Sequence, residues 1–528
     1  MHYERLSNLD ASFLALETRT THMHVGAVAI FTAGPSVGEQ GIDIDTIRAL
    51  ILSRLDLIPR YRQRLANVPL EGSPVWVDDE HFHLDYHVRH IALPHPGSTE
   101  QLKDLAGRLM SQQLDRSKPL WELYIVEGLD DGGFALIAKI HHCMIDGVSG
   151  IDLMAVLLDF TPDFEISDPV PWAPRSAPNG TELAVREMSR SISRIAAGVL
   201  RVPSEIGVWT ASWSERAKAA GASLSSGWLT QTGKTSLNGP IGGSRSFDWI
   251  QLPLADIKKI KNAHGATVND VMLAIVAGAV REYLIQVGGA TDDDLAETEF
   301  RIMAPVSVRS KDEEGTLGNK VAMWLLELPI AESDPAKRVR FINSETKTLK
   351  ETDQALGAST LVEVSTGAPA TLVSLAARLA ERARPFNMTV TNVPGPQFPL
   401  YMAGSEMRAT YPLVPLWQSH GAGVAMFSVS GMIDIGINMD SDLIEDRTCL
   451  GRCMQSAFEE LKDSKPPAAK AARKKKTKKR PPMGTGSQAA PRCCTGSRPT
   501  SVGSRRGRNS AEEGLGGRVE VVWYASDA

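Results

Sequence analysis

An apolar run that ends in two adjacent histidines constrains the fold of this chain more than any other feature. Phe134 to Ile140 is almost continuously apolar, which predicts a strand buried on both faces of a sheet. The run continues into His141-His142-Cys143-Met144-Ile145-Asp146-Gly147, and a helix-like stretch from Val148 to Phe160 follows. This order of strand, turn and helix predicts an α/β fold that presents imidazole groups at the mouth of a cleft.

The two histidines favour one catalytic base over a metal pair. Neighbouring residues on a strand point to opposite faces of the sheet, so His141 and His142 cannot both face one site. A zinc site would also require further ligands at suitable spacing. An imidazole accepts and returns a proton near neutral pH, which is the chemistry of a general base. Asp146 and Gly147 predict a tight turn into the next helix.

The pattern HHxxxDG resembles the signature of the chloramphenicol-acetyltransferase-like acyltransferases. The flanking sequence resembles the bacterial wax ester synthase/diacylglycerol acyltransferase branch, and no Asp-Phe-Gly-Trp-Gly run of the plant enzymes is present. The matching motifs occur in the family's order between residue 4 and about residue 460. They are Leu6 to Phe13, His22 to Gly26, Pro119-Leu120-Trp121, Thr267 to Asp270, Pro305 to Arg309, Gly318-Asn319 and Asn392 to Pro396.

The resemblance implies a fold and a mechanism. It implies an α/β protein of two chloramphenicol-acetyltransferase-like lobes, each a mixed sheet flanked by helices, with the active site between them. His142 would be the general base, while His141, Asp146 and Gly147 would support the motif. The resemblance implies no metal and no cofactor, with acyl-CoA as co-substrate and diacylglycerol or a fatty alcohol as acceptor.

Several residues have two interpretations. Asp146 could orient His142 or hold the loop, and the resemblance favours the structural role. Asp270 fits a capping box with Thr267, whereas Asn269 is not needed for the cap and is the better candidate for substrate contact. The remaining candidates for substrate binding are Ser307, Arg309 and Asn319, for which ordinary strand-end chemistry is the alternative.

Two other groups of residues are candidates for the site. The arginines Arg60, Arg62 and Arg64 are a candidate partner for Asp146, but a solvated helix end is the expected reading. His420 is expected to be a surface or loop histidine.

Composition and charge indicate four segments. Residues 1–165 and 241–462 are predicted to form the two lobes, residues 166–240 a linker with an amphipathic helix, and residues 463–528 a basic, low-complexity, disordered tail. From Ser464 onward there are 15 Lys and Arg against 4 Asp and Glu; subtracting these from the totals of 57 and 62 leaves 42 and 58. An acidic body with a basic tail does not indicate nucleic-acid binding.

Several features of the sequence bear on where the protein is located. The N-terminus has no apolar core of a signal peptide, and the run from Val271 to Val280 is too short to span a bilayer. Five scattered cysteines indicate reduced thiols. We therefore expect a cytoplasmic protein with peripheral contact to the inner face of the membrane or to lipid inclusions. In the predicted helix from Leu183 to Leu200, arginines oppose an apolar face, which fits either a lipid surface or the protein's own core.

Three functions are compatible with the sequence. The first is an O-acyltransferase that joins a long-chain acyl group from acyl-CoA to diacylglycerol, or to a fatty alcohol. The second is acyl transfer from a carrier-protein thioester in polyketide or peptide-type synthesis. The third is a non-catalytic lipid-binding or lipid-droplet protein, in which the histidine motif would have no catalytic function.

Overall fold

The strand predicted to begin at Phe134 lies in the middle of the main sheet of the first lobe. It is observed as β9, Phe134–His141, and all eight of its residues are buried. The computed structural model describes residues 2–38, 41–68, 74–144, 156–183, 186, 231–307, 321–356 and 384–464. All structural statements below concern these residues.

The first lobe consists of one large sheet, two small strand groups and four helices. Its strands before β9 are β1 Glu4–Arg5, β2 His24–Phe31, β3 Val37–Gly38, β4 Gly41–Ile42, β5 Gln63–Asn67, β6 Pro74–Asp78, β7 Val88–Ala92 and β8 Trp121–Glu127. Its helices are α1 Asn8–Leu16, α2 Ile44–Arg54, α3 Leu84–His87 and α4 Thr99–Met110. The sequence pattern from Ile44 to Ile58, closed by Pro59, predicts a single helix, but α2 ends at Arg54 and a 3-10 helix, Leu55–Leu57, follows it.

The second lobe is built around another six-stranded sheet. Its strands in chain order are β10 Arg245–Pro253, β11 Arg301–Ser307, β12 Val321–Glu327, β13 Met388–Pro394, β14 Tyr401–Met402, β15 Ser405–Leu413, β16 Ala422–Val429 and β17 Met432–Asp440, although β14 and β15 join the sheet of the first lobe. Its helices are α5 Leu254–His264, α6 Val268–Gln286, α7 Asp292–Glu297, α8 Pro335–Leu356 and α9 Cys449–Asp463.

Both sheets are mixed, which confirms the predicted α/β class with two lobes of sheet and helices. The first sheet has the order β14-β15-β2-β9-β8-β7, and only β7 and β8 are parallel. The second has the order β10-β17-β16-β13-β11-β12, with β13 parallel to both β11 and β16. Strand β15 comes from the second half of the chain but pairs with β2, so the first sheet contains strands from both halves.

Apolar burial explains why these elements pack as they do. Helix α6 is apolar on almost every side, and thirteen of its residues are buried in the core of the second lobe. The two faces of the first sheet pack into separate cores, one against α2 and the other against α4 and β10. Lys103 of α4 reaches Asp248 of β10 at 2.6 Å, so an ion pair also joins the lobes.

The cysteines and the apolar helices can be placed as well. Cys143, Cys449 and Cys453 are buried free thiols, and the other two cysteines lie outside the described residues. Within the described residues, no single helix has both the length and the apolar composition needed to cross a membrane. Helices α5 and α6 reach that length and composition only as a pair, and the pair is bent by 98°.

The buried side chain of Asp434, in strand β17 of the second sheet, forms a hydrogen bond to strand β15 of the first sheet. Its two carboxylate oxygens accept the Thr410 N–H at 2.7 Å and the Gln251 side-chain amide at 2.8 Å. Burial raises the pKa of Asp434 from 3.8 to about 6, although both hydrogen bonds act in the opposite direction. Ionising this carboxyl therefore disfavours the folded state as the pH rises from about 4, and the penalty is complete above about pH 6, where it reaches about 3 kcal/mol.

Replacing Asp434 with asparagine should therefore stabilise the protein at high pH. We expect the free energy of unfolding, measured by urea titration, to rise by up to about 3 kcal/mol at pH 8 and by roughly half as much at pH 5. Asp440→Asn is the contrasting control on the same strand: burial raises the pKa of Asp440 too, but its carboxylate pairs with the buried Arg245 at 3.1 Å and accepts three backbone N–H groups, which asparagine would partly lose. That control should be destabilising at pH 8; a pH-independent gain for Asp434→Asn would contradict the assignment.

Candidate active site

The central strand β9 delivers the two histidines of the motif. His141 is its last residue and pairs with His24 of β2. The chain then enters a 3-10 helix, His142–Met144, so His142 is the first residue beyond the strand. Its backbone N–H donates to the carbonyl of Met23 at 2.8 Å, which fixes the turn to the beginning of β2.

The ring of His142 lies in an apolar and partly accessible environment. It stacks on Phe13 of α1, with 4.0 Å between the ring centroids and 25° between the planes. Burial lowers the pKa of His142 to about 4, an effect that its own main chain opposes and the neighbouring His141 reinforces. The ring is therefore neutral at pH 7 and available to accept a proton, as a general base must be.

His141 makes contacts that hold the turn rather than contacts that would serve a substrate. Its Nδ1 accepts a hydrogen bond from the backbone N–H of Cys143 at 3.2 Å. Its Nε2 lies 3.7 Å from a carboxylate oxygen of Glu17, and the side chain is almost fully buried. These contacts fit the supporting role predicted for His141.

Glu17 is the centre of a buried charged cluster beneath the motif. Its carboxylate lies 3.5 Å from Nε2 of His24 and 2.6 Å from the Arg116 guanidinium, in addition to the contact with His141. Burial alone would raise the pKa of Glu17, but the contacts with His141, His24 and Arg116 hold it well below its ordinary value. Burial lowers the pKa of His24 to about 3, so Glu17 is an anion next to a neutral His24.

Sequence reasoning missed Glu17. A glutamate directly after an apolar helix, here α1, is usually solvent-exposed, and its partners His141 and Arg116 are about a hundred residues away. One signal was present, because Glu17 lies between two stretches that match the family, Leu6 to Phe13 and His22 to Gly26.

The candidates at the start of α6 have different environments. Asp270 forms the predicted capping box with Thr267 and also accepts hydrogen bonds from Asn343 at 2.6 Å and Thr346 at 2.8 Å. The side-chain oxygen of Asn269 accepts one hydrogen bond, from the amide of Asn392 at 3.3 Å. The contacts of Asp270 favour a structural role, whereas Asn269 keeps polar capacity for a ligand.

The structure describes only part of the predicted site. Asp146, Gly147, Arg309 and Asn319 lie outside the described residues, and of Ser307 only the backbone, at the end of β11, is described. Among the described residues, no hydrogen bond or ring contact joins Asn269 or Asp270 to His142. Whether these residues line one site with His142 therefore remains a prediction.

Two other expectations change. His420 lies in a loop but is buried rather than exposed, with its ring nitrogens 2.7 Å from the carbonyls of Gln418 and Phe386. Arg62 is buried beside Trp172, and Arg60 pairs with Glu4 at 2.6 Å, so neither belongs to a solvated helix end. Both differences arise from partners that are distant in the sequence.

The described residues also bear on the reaction class. Burial raises the pKa of the Cys143 thiol well above its ordinary value, so this cysteine is not a thiolate nucleophile at neutral pH. Within the part of the chain that the structure describes, no group of three or more His, Cys, Asp or Glu side chains is arranged to hold a metal ion.

Comparison with known proteins extends over most of the chain. Residues 6–272 match the family model of the wax ester synthase/diacylglycerol acyltransferase catalytic domain, and residues 317–462 match the C-terminal domain of the same family. A probable diacylglycerol O-acyltransferase of Mycobacterium tuberculosis, Tgs1, is 34% identical over 468 residues, which cover 86% of this chain and 95% of the relative. A second from that organism, Tgs2, is 33% identical and covers 81% of this chain and 92% of its own length.

Solved structures agree with these matches. The wax ester synthase/diacylglycerol acyltransferase of Marinobacter aquaeolei superposes with a TM-score of 0.63 at 25% identity, over 87% of this chain and 98% of that one. The starter condensation domain of rhizomide synthetase superposes with a TM-score of 0.54 at 13% identity, over 88% of this chain and 96% of that one, and so shares the fold. The matches to both family domains, and the identity with relatives along almost their whole length, show that this chain is an acyltransferase of the wax ester synthase/diacylglycerol acyltransferase family.

Proposed function

We propose that this protein transfers a long-chain acyl group from acyl-CoA to the free hydroxyl of diacylglycerol, which yields triacylglycerol, and that fatty alcohols are alternative acceptors. The observation that carries the mechanism is His142, a neutral and partly accessible imidazole at the end of the central strand. The choice of lipid substrates is supported by the names of the relatives.

The proposed reaction needs one proton carrier. His142 removes the proton of the acceptor hydroxyl while the oxygen attacks the thioester carbonyl, which forms a tetrahedral oxyanion. The oxyanion collapses, the C–S bond breaks, and His142 returns the proton to the departing CoA thiolate. No covalent acyl-enzyme is required, which is consistent with the protonated thiol of Cys143 next to the base.

The supporting residues have separate proposed tasks. Asn269, whose side-chain oxygen accepts a hydrogen bond from the Asn392 amide, is proposed to contact substrate. Ser307, Arg309 and Asn319 are proposed to line the second lobe's side of the site, and Asp146 and Gly147 to hold the loop after His142.

The decisive experiment is a direct assay of the purified full chain. Palmitoyl-CoA is incubated with dioctanoylglycerol, hexadecanol or no acceptor, while free CoA thiol and the acylated product are both followed. Thiol release that depends on diacylglycerol and matches triacylglycerol formation supports the proposal. Binding of lipid without thiol release would identify a lipid-binding protein, and transfer only from an acyl carrier protein would identify a different donor.

The pH dependence of the reaction should reflect the lowered pKa of His142. Because the base must be neutral, kcat/KM is expected to stay nearly constant from pH 8 down to about pH 5 and to fall only as the pH approaches about 4. A histidine in water would already lose half of its base form near pH 6.5. The measurement is kcat/KM across this range with circular dichroism at each pH, and an acid limb centred near 6.5 would contradict this environment.

We also propose peripheral contact with the inner face of the membrane or with lipid inclusions, in keeping with the insolubility of the acceptor. The segments proposed to make this contact, residues 187–200 and 465–528, lie outside the described residues. Their basic side chains would add about 1 kcal/mol per charge near an anionic bilayer.

Removing these charges should weaken lipid binding but not catalysis. Deletion of residues 465–528, or Arg186, Arg190 and Arg194→Glu, is expected to reduce sedimentation with phosphatidylglycerol vesicles at low salt, with turnover on dispersed substrate within a few-fold of wild type. Phosphatidylcholine vesicles are the uncharged control. Equal sedimentation of the variants and the wild type would assign the contact to another surface.

A further inference from the structure

The buried carboxylate of Glu17 has no task in the reaction proposed above. It lies in the interior next to His141, yet it does not contact His142. Burying an anion costs free energy unless interactions with its partners compensate for the lost hydration. A buried carboxylate that has no task in the reaction therefore needs another explanation. We infer that Glu17 is a positioning residue for His142 and that it acts by selecting the tautomer of His141; this inference rests on the proposed role of His142.

The hydrogen bonds of His141 define which nitrogen carries its proton. Because Nδ1 accepts from the Cys143 N–H, Nδ1 has no proton, and the proton of the ring must be on Nε2. Nε2 faces the Glu17 carboxylate, which can only accept. The opposite tautomer would place two N–H groups against each other at Nδ1 and a lone pair against an anion at Nε2. Glu17 therefore favours the one tautomer that keeps the Cys143 contact.

That contact matters because it lies inside the turn that carries His142. The Cys143 N–H belongs to the 3-10 helix that begins at His142. Loss of the acceptor would release this turn at one end, while the Met23 carbonyl would still hold His142 at the other. A displacement of about 1 Å at a reacting group can cost about 10²-fold in rate.

Glu17 also links the turn to the helix that supports the base. Phe13, which stacks on His142, lies one helical turn before Glu17. Arg116 donates to both the Glu17 carboxylate and the carbonyl of Leu14, each within 2.9 Å, and so holds this end of α1 in place. The ring under His142 and the carboxylate under His141 are thus fixed by one element.

The test removes the acceptor that faces His141. One carboxylate oxygen of Glu17, Oε2, lies near both Arg116 and Nε2 of His141, so Glu17→Gln would keep an oxygen there, whereas Glu17→Met keeps the length of the side chain and removes the acceptor. His141→Asn removes the question of tautomer, since the asparagine oxygen takes the place of Nδ1 and still accepts from Cys143. Glu17→Met should therefore matter in the wild type but not beside His141→Asn.

The experiment is a double-mutant cycle assayed with palmitoyl-CoA and dioctanoylglycerol. We expect Glu17→Met to lower kcat by about 10²-fold with little change in KM, and to change kcat of the His141→Asn variant by no more than about twofold. Glu122→Met is the matched control, because Glu122 is a buried carboxylate on the same sheet, bound by Tyr124 and Arg89. Its effect should be the same in both backgrounds.

The outcomes separate the two proposals. Equal losses from Glu17→Met in both backgrounds, or wild-type kcat in the single variant, would overturn the positioning role. If Glu17→Met does not fold, the cycle is run with Glu17→Asp, which keeps the charge but falls short of His141, and the same comparison decides. The proposed base is judged separately: turnover in folded His142→Ala would refute the reaction scheme, whatever the cycle shows.

Discussion

Replacing His142 with alanine is expected to lower kcat by about 10²–10⁴-fold, the range for loss of a positioned general base. The imidazole of His142 is neutral at pH 7 and partly accessible. Of its two neighbours in the motif, the buried His141 uses Nδ1 to accept from the Cys143 N–H, and the Cys143 thiol is protonated and buried. No described neighbour can therefore take over the proton. The measurement is single-turnover and steady-state release of CoA thiol with diacylglycerol as acceptor.

Folding must be shown to persist for this result to be informative. The His142 ring contributes one stacking contact with Phe13, and its Nδ1 has no hydrogen-bond partner among the described residues, so its removal leaves no buried polar partner unsatisfied there. We therefore expect circular dichroism and thermal unfolding close to those of the wild type. His81→Ala, at an exposed position in a loop, is the control for a histidine replacement as such. A folded His142→Ala protein with wild-type turnover would rule out the base.

The central strands of both lobes could be predicted because their signals are local. The apolar runs from Trp121 to Glu127 and from Phe134 to His142 predict strands close to the observed β8 and β9. In the second lobe, the runs from Arg301 to Val308 and from Asn387 to Asn392 likewise predict β11 and β13. Thr267 and Asp270 likewise predicted the start of α6, because a capping box is a contact between residues three apart.

The features that were missed depend on contacts between distant parts of the chain. Strand β15 pairs with β2, nearly four hundred residues earlier, and nothing near Met407 indicates which sheet it joins. His420 is expected to be a surface or loop histidine; it does lie in a loop, yet it is buried, and the carbonyls of Phe386 and Gln418 satisfy its ring in the interior. A polar residue is predicted to be exposed unless its partners are known, and those partners are set by the fold.

The candidate site divides in the same way. His142 was found from a motif of seven neighbouring residues, since adjacent positions carry the signal. Glu17 could not be found by that reasoning, because its importance comes from His141 and Arg116, which the fold brings to the end of α1. The motif identifies the group that handles the proton, whereas the fold identifies the groups that hold it in position.

Asp270→Ala is expected to produce the second large effect, and it should affect stability rather than chemistry. The Asp270 side chain is almost fully buried and accepts hydrogen bonds from the Thr267 N–H, the Asn343 amide and the Thr346 hydroxyl. Alanine would leave these donors without their acceptor, although the Thr267 hydroxyl would still accept from the backbone N–H of residue 270 and keep half of the capping box. At about 1.5–3 kcal/mol for each hydrogen bond to a charged group, offset by relief of the buried charge, we expect a loss of about 3–5 kcal/mol in the free energy of unfolding.

Asp294→Ala is a matched control within the same chain. Asp294 forms the same capping box with Thr291 at the start of α7, but it is exposed and its described contacts are confined to that cap. The two variants therefore share the loss of the aspartate's bond in the capping box. The difference between their losses in the free energy of unfolding measures the bonds from Asn343 and Thr346, which tie α6 to α8. If Asp270 instead binds substrate, its replacement would raise KM at nearly unchanged stability. Because every described partner of Asp270 belongs to the protein's own framework, we expect the folded fraction of Asp270→Ala to fall while KM of the remaining folded enzyme stays close to that of the wild type.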